Sequence, residues 1–390
     1  MNKNLFFRES IDFSHNKINN VDENAFMTLE SLKFLDLSHN EIKRVFVRLP
    51  DSLEILTMSY NKLITWPLAN TPEHLVELEL KFNSLENIFP KDGEVDNLRI
   101  LDVSNNVIDR LPNTQFFKLA KLDISYNRLT SVPQSLNSMS PLLYDLILDG
   151  NQISSVYFAD KSTLGSISLN NIDSLEFLES NAFSNLVGTK VRNDESGTCV
   201  DIRVSRNKNL KKIDENAFEG VSMCVLDLSF NQLTEIPENL TDWSKIEDGI
   251  DLQGNPLDCS CSKGWMLTEI LNRLYENDEH QFLLQELKCQ TPDERQDARF
   301  VQFLYHENPF CGQSSAKIMD KIVQQSSFGG VSFGTEDKDV KIELTHGPGL
   351  IIIICLSALI LFVMILVGLR WQRDQDRKLA IRNRLYDFDY

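Results

Sequence analysis

The sequence predicts an α/β solenoid, a stack of short parallel strands, followed by one membrane-crossing helix. Three observations predict it. The string LKFLDLSHNEI at residues 32–42 returns down most of the chain in the form L-x-x-L-x-L-x-x-N-x-L. Four cysteines, at 259, 261, 289 and 311, cluster where the string stops. An uncharged apolar run, Leu350–Leu369, is followed at once by basic residues.

The repeat sets the first element. Its asparagines fall at 16, 40, 61, 83, 106, 127, 151, 207, 231 and 255, mostly 21 to 24 residues apart. The gap of 56 between Asn151 and Asn207 leaves room for one degenerate unit, LGSISLNNIDSL, with Ile172 in the asparagine register. That makes eleven units over residues 1–254. Each unit offers one short strand, which cannot bury a core alone. Stacking at about 4.8 Å per strand buries the leucines of neighbouring units against each other. The sharp turn after each strand leaves backbone N–H and C=O groups without partners. A buried Asn amide offers two donors and an acceptor to meet them, and each orphaned group costs about 1–3 kcal/mol. The period and pattern resemble a leucine-rich repeat, which implies a horseshoe with a parallel β-sheet on its concave face. The phenylalanines of three NAF triplets, Phe26, Phe183 and Phe218, are expected in the convex layer.

The net charge of −18 argues against nucleic acid as a partner. The acidity is spread rather than blocked, so it belongs to surfaces.

Residues 255–311 open with NPLDCSCSKGWML, and Cys259, Cys261, Trp265, Cys289 and Cys311 resemble the C-terminal cysteine-rich cap of extracellular leucine-rich repeat proteins. The resemblance implies disulfides Cys259–Cys289 and Cys261–Cys311. A four-cysteine zinc site is the rival, but C-x-C followed by long gaps departs from the usual C-x₂₋₄-C spacing. Cys199 and Cys224 stand in adjacent units, as a bridge between neighbouring strands or as two small buried thiols.

Twenty uncharged residues match the hydrocarbon core as a helix, predicted over 349–369. Six Arg/Lys follow it, so the tail 370–390 is expected in the cytoplasm and the repeats outside. Cys355 would be a free thiol in lipid. Residues 312–348, rich in Gly and Ser, read as a flexible stalk. Tyr386–Tyr390 is an expected adaptor site. The start, MNKNLFFRES, has no leader-like apolar run, and the first strand stands without a cysteine cap, as if the chain were truncated there. Asn239-Leu240-Thr241 is an acceptor triplet for N-glycosylation.

The sequence shows no phosphate loop, nucleophile motif or paired metal-ligand spacing, so no enzyme and no cofactor are predicted. The residue between the second and third leucine positions faces out from the core. Along the units it reads Asp12, Asp36, Thr57, Glu79, Asp102, Asp123, Ile147, Ser168, Arg203, Asp227 and Asp251. An acidic stripe of this kind steers basic ligands; the plainer reading, which we favour, gives Asp a role in strand and turn. The binding candidates are Asp102, Asp123, Ile147, Arg203 and Asp227, with the focus between Ile147 and Arg203, where the degenerate unit and the insertion Val187–Gly197 fall. Tyr60, Phe82, Tyr126 and Phe230, each before an Asn, are expected to pack on the turns.

The whole chain resembles a type I single-pass plasma-membrane protein of the extracellular leucine-rich repeat family. That implies a receptor or adhesion molecule that binds an extracellular protein without catalysis. The alternatives are a Toll-like receptor lacking its signalling domain and a matrix-organising protein shed at the stalk.

Overall fold

The computed structural model describes residues 8–88, 96–111, 115–134, 136–192, 197–246, 248–260, 263–270, 274 and 286–303. The chain divides into Met1–Ser326 and Ser327–Tyr390, and every described residue lies in the first unit. The stalk, the 349–369 helix, Cys261, Cys311, Cys355 and Tyr386–Tyr390 lie outside the described residues. Among the described residues, no helix is long and apolar enough to cross a membrane.

The repeat builds one sheet of parallel strands, one strand per unit. The first seven are β1 (Ser10–Asp12), β2 (Phe34–Asp36), β3 (Ile55–Thr57), β4 (Glu77–Glu79), β5 (Ile100–Asp102), β6 (Lys121–Asp123) and β7 (Asp145–Ile147). Ser162–Leu164 forms β8 in a convex arm, and the sheet resumes with β9 (Ser166–Ser168). The arms add β10 (Phe177–Leu178) and β11 (Leu186–Gly188), and the insertion adds β12 (Lys190–Val191). The sheet then continues through β13 (Thr198–Arg203), β15 (Met223–Asp227) and β16 (Gly249–Asp251), with β14 (Lys212–Ile213) in an arm. The spatial order β1-β2-β3-β4-β5-β6-β7-β9-β13-β15-β16 follows the chain, and β12 joins antiparallel to β13. Beyond the sheet, β17 (Leu257–Asp258) pairs with β18 (Cys289–Thr291).

Register explains the core. Leu35, Leu56, Leu78, Leu101 and Leu122 sit directly opposite one another along the sheet and are buried. Truncating one such leucine costs about 2–5 kcal/mol, because its neighbours cannot collapse into the gap. The strand residues on either side face the open side of the sheet. Phe183 stacks on Phe218 at 4.8 Å in the arm layer, and both are buried with Phe26.

The asparagines bond as their register requires. Asn127 Oδ1 accepts from the Ile108 N–H at 2.9 Å, while its Nδ2 donates to the Val103 and Ile124 carbonyls. The same three-way bond recurs at Asn61, Asn83, Asn106, Asn151 and Asn255. Each amide ties its own turn to the preceding unit. Ile172 has no polar atom with which to do this. The ladder resumes at Asn207, which accepts from the Ile172 N–H and donates to the Leu169 carbonyl.

Candidate functional site

The turn before each asparagine requires left-handed backbone. His15, His39, Tyr60, Phe82, Asn105, Tyr126, Asn171, Arg206 and Phe230 all adopt φ between 51° and 58°. Their side chains therefore line one edge of the sheet. His15, His39, Tyr60 and Phe82 stack in sequence, with ring centroids 4.1, 4.3 and 4.4 Å apart. The turn-packing expectation needs amending in one respect. Tyr60 and Phe82 pack on neighbouring rings, Tyr126 and Phe230 lie over the turn glycines Gly150 and Gly254, and all four remain 40–49% exposed. His15 and His39 lie parallel in this stack, and an aromatic contact accounts for their pairing.

The five open-face candidates share one register row. Asp102 is opposite Asp123, Asp123 opposite Ile147, Ile147 opposite Ser168, Ser168 opposite Arg203, and Arg203 opposite Asp227. The carboxylates of this row are built into the turns. Asp102, Asp123 and Asp227 each accept from the backbone N–H and the hydroxyl of the serine two residues on, at 2.6–3.0 Å. Asp251 accepts from the Gln253 N–H in the same way. Burial pushes the Asp123 carboxyl above its ordinary value, against the pull of Ser125. Burial does the same to Asp149, which the Ser168 hydroxyl and Asn170 N–H partly offset, and to Asp251. On the same face, Lys81 lies within 3.7 Å of Glu79 and 3.4 Å of Asp102. Burial lowers its pKa, but the two carboxylates override this and hold it above the ordinary lysine value.

The row changes character between the seventh and ninth units. Arg203 donates to the Ser166 hydroxyl at 3.1 Å and to Asp201 at 3.4 Å. Asp145 lies nearby. Burial raises its pKa, and Lys121 and Arg203 pull it back. Tyr144 covers Gly165 so closely that a Cβ there would lie 2.1 Å from the ring. The insertion closes this patch on one side. Lys190 places its ammonium 3.0 Å from Asp201 and 2.9 Å from Asp248. Burial opposes the charge on Lys190, and Asp248 and Asp201 together raise its pKa. The buried Arg192 donates to the Lys245 carbonyl at 2.6 Å and the Ser222 hydroxyl at 2.8 Å. Cys199 and Cys224 are joined in a disulfide beneath β12, with Cα atoms 5.4 Å apart.

Asp201, Cys224 and Asp248 bring their donor atoms within 4.8 Å of one another. They do not suit a metal ion, since the cysteine sulfur is bonded to Cys199 and the Lys190 ammonium holds both carboxylates. In the segment that follows the sheet, Cys259 is bonded to Cys289, with Cα atoms 5.6 Å apart. Trp265 packs against Trp243 of the last full arm at 5.6 Å. Asn239 is exposed on the tenth arm.

The sequence reading overlooked Tyr144, Asp145, Lys190, Asp201 and Asp248. Asp145 and Asp201 occupy the other outward position of their strands, so the period-two alternation already pointed to them. Lys190 lies in the insertion, where no register exists to place it.

An arrangement of this kind, a stacked parallel sheet with one solvent face and an internal amide ladder, defines a solenoid repeat protein. Two segments of the repeat, residues 9–42 and 222–243, match leucine rich repeat family models. The chain is 31% identical over 244 residues to lumican of Coturnix japonica, covering 58% of this chain and 60% of lumican. It is 32% identical over 168 residues to osteomodulin of Rattus norvegicus, covering 35% of this chain and 39% of that protein. The chain thus spans less than two thirds of the length of the curated relatives it matches. Among solved structures, a chain of the octameric complex of Latrophilin 3, Unc5D and FLRT2 aligns with a TM-score of 0.47 at 17% identity, covering 75% of this chain and 87% of that one.

Proposed function

We propose that this chain is a non-catalytic, extracellular protein-binding molecule of the receptor or adhesion kind, held at the cell surface by the 349–369 helix. Under this reading the repeats occupy 1–254, a cysteine-rich cap 255–311 with a second disulfide Cys261–Cys311, and a stalk 312–348. The tail 370–390 lies in the cytoplasm and offers Tyr386–Tyr390 to an adaptor.

One observation carries the proposal. The open sheet face presents a row that is polar at every unit except the seventh, where Ile147 stands, and between the seventh and ninth units Arg203 of that row is flanked by Tyr144, Asp145 and Asp201. Arg and Tyr are the residue types that anchor protein interfaces, and a framework of parallel strands holds them without further ordering cost. Two disulfides support an oxidising, extracellular setting.

The test is a screen of the tagged chain against a library of cell-surface and secreted proteins. The expected binder is lost on Arg203→Glu or Asp145→Lys and kept on Glu219→Gln in a convex arm. Binding that survives both open-face changes overturns the proposal.

The second reading is a matrix-organising protein released at the stalk. The identity to lumican favours it. Recovery of most of the chain from the medium, cut between residues 312 and 348, distinguishes it from the first.

A further inference from the structure

The chain contains a single Asn-x-Ser/Thr triplet, at Asn239, and a cleft opens beside it. Asn239 lies in the short turn of helix Glu238–Leu240, where Leu240 is 2% exposed and enters the core. That leaves Asn239 facing outward. Thr241 follows in extended backbone. Asparagines on other arms are tied down: Asn137 donates to the Lys161 carbonyl, Asn185 to Phe158 and Asn209 to Asp173. The Asn239 amide has no such bond among the described residues.

Beside it, between the arms of the ninth and tenth units, opens a cleft of about 440 Å³. Its lining residues include apolar Val221 and Leu240 beside polar Ser222, which accepts from Arg192, and Asp242 and Lys245, which pair at 3.0 Å. A pyranose presents the same mixture, with apolar C–H faces and hydroxyl edges, and an N-acetyl group adds one amide. The volume lies within the range that holds a small ligand.

We propose that Asn239 carries an N-linked glycan and that its first N-acetylglucosamine is seated in this cleft, bridging the ninth and tenth arms. The bond joins the Asn239 Nδ2 to the sugar's anomeric carbon. The donor is a lipid-linked oligosaccharide diphosphate, whose diphosphate leaves with the lipid as the amide loses one proton. This rests on the extracellular reading above, since the transfer occurs only in the secretory pathway. Seated at the root, the sugar adds contacts between neighbouring units, and such contacts stabilise a solenoid.

The full chain is expressed behind a secretory leader in animal cells that make only high-mannose glycans. Three forms are compared: untreated, trimmed by endoglycosidase to one N-acetylglucosamine, and the unglycosylated variants Thr241→Ala and Asn239→Gln. The intact mass should show one glycan, absent in both variants. The trimmed form should melt within about 1 °C of the untreated form, with both variants about 2–4 °C lower. A secreted chain with bonded cysteines and no sugar overturns the site while leaving the extracellular reading intact. A trimmed form that melts with the variants overturns the seating. A chain found only with reduced thiols and no sugar overturns both.

Discussion

The Lys190 ammonium and the Asp248 carboxylate meet at 2.9 Å, although they come from the insertion and from the unit two strands further on. With Asp201 at 3.0 Å, this one cation ties the insertion to the edge of the sheet. Asp201 is buried, so removing the cation leaves a carboxylate in poor solvent. We expect Lys190→Met to lower stability by about 1–3 kcal/mol in urea denaturation, and Asp201→Asn in the same chain to return part of the loss. Equal, additive losses would mean that the pair is not coupled.

Asn127→Ala removes four hydrogen bonds at once and strands the Ile108 N–H in the interior. The expected loss is about 2–4 kcal/mol, with hydrogen exchange accelerated in the fifth and sixth units ahead of the rest. An unchanged melting temperature would contradict an amide ladder that supports the stack.

The open-face carboxyls give stability a distinctive dependence on pH. Burial raises the folded-state pKa of Asp123, so folding favours its protonated form. Its contribution is fully present below the ordinary carboxyl value and is lost as pH rises through the raised one. Asp123→Asn keeps an acceptor for Ser125 and should therefore stabilise the chain at pH 7. The gain should shrink on acidification and vanish once Asp123 is itself protonated in both states. Urea titrations of both chains between pH 4 and pH 7 check this. A gain independent of pH would place the effect elsewhere.

Gly188 passes so close to β13 that a Cβ would lie 2.1 Å from the Cys199 carbonyl carbon. Backbone cannot yield there as a flexible side chain can. Gly188→Ala should push the insertion off the sheet and cost at least about 2 kcal/mol, with faster proteolysis after Lys190 as the local readout. Normal protease resistance would show that the insertion is not seated this way.

Cys289→Ser opens the Cys259–Cys289 bridge that closes the segment following β16. The expected loss is about 2–4 kcal/mol, with Cys259 becoming reactive to a thiol reagent. A thiol that stays silent in the variant would speak against the bridge.

The solenoid was legible because its physics is periodic. Leu35 and Leu56 need each other, and the spacing between them is written in the chain. The asparagine register was legible for the same reason, down to Ile172 as the missing rung. The patch around Arg203 was only half legible. Its own outward position follows from alternation, but its partners Ser166 and Asp201 matter only through distance. The sequence reading placed Tyr60 and Tyr126 on the turns but not how far each ring stays exposed, since a residue before a buried asparagine gives no sign in the sequence of which way its ring turns.

By itself, then, the sequence determined the parallel stack, one strand for each unit, and the side-chain amides that stitch the turns, because those depend on neighbours at a fixed step along the chain. Only the tertiary structure decided that Lys190 and Arg192, in the insertion, fasten it to units lying beyond it. The reason is physical: an insertion without a period has no register, and its place is set by the charges and carbonyls it happens to reach in space.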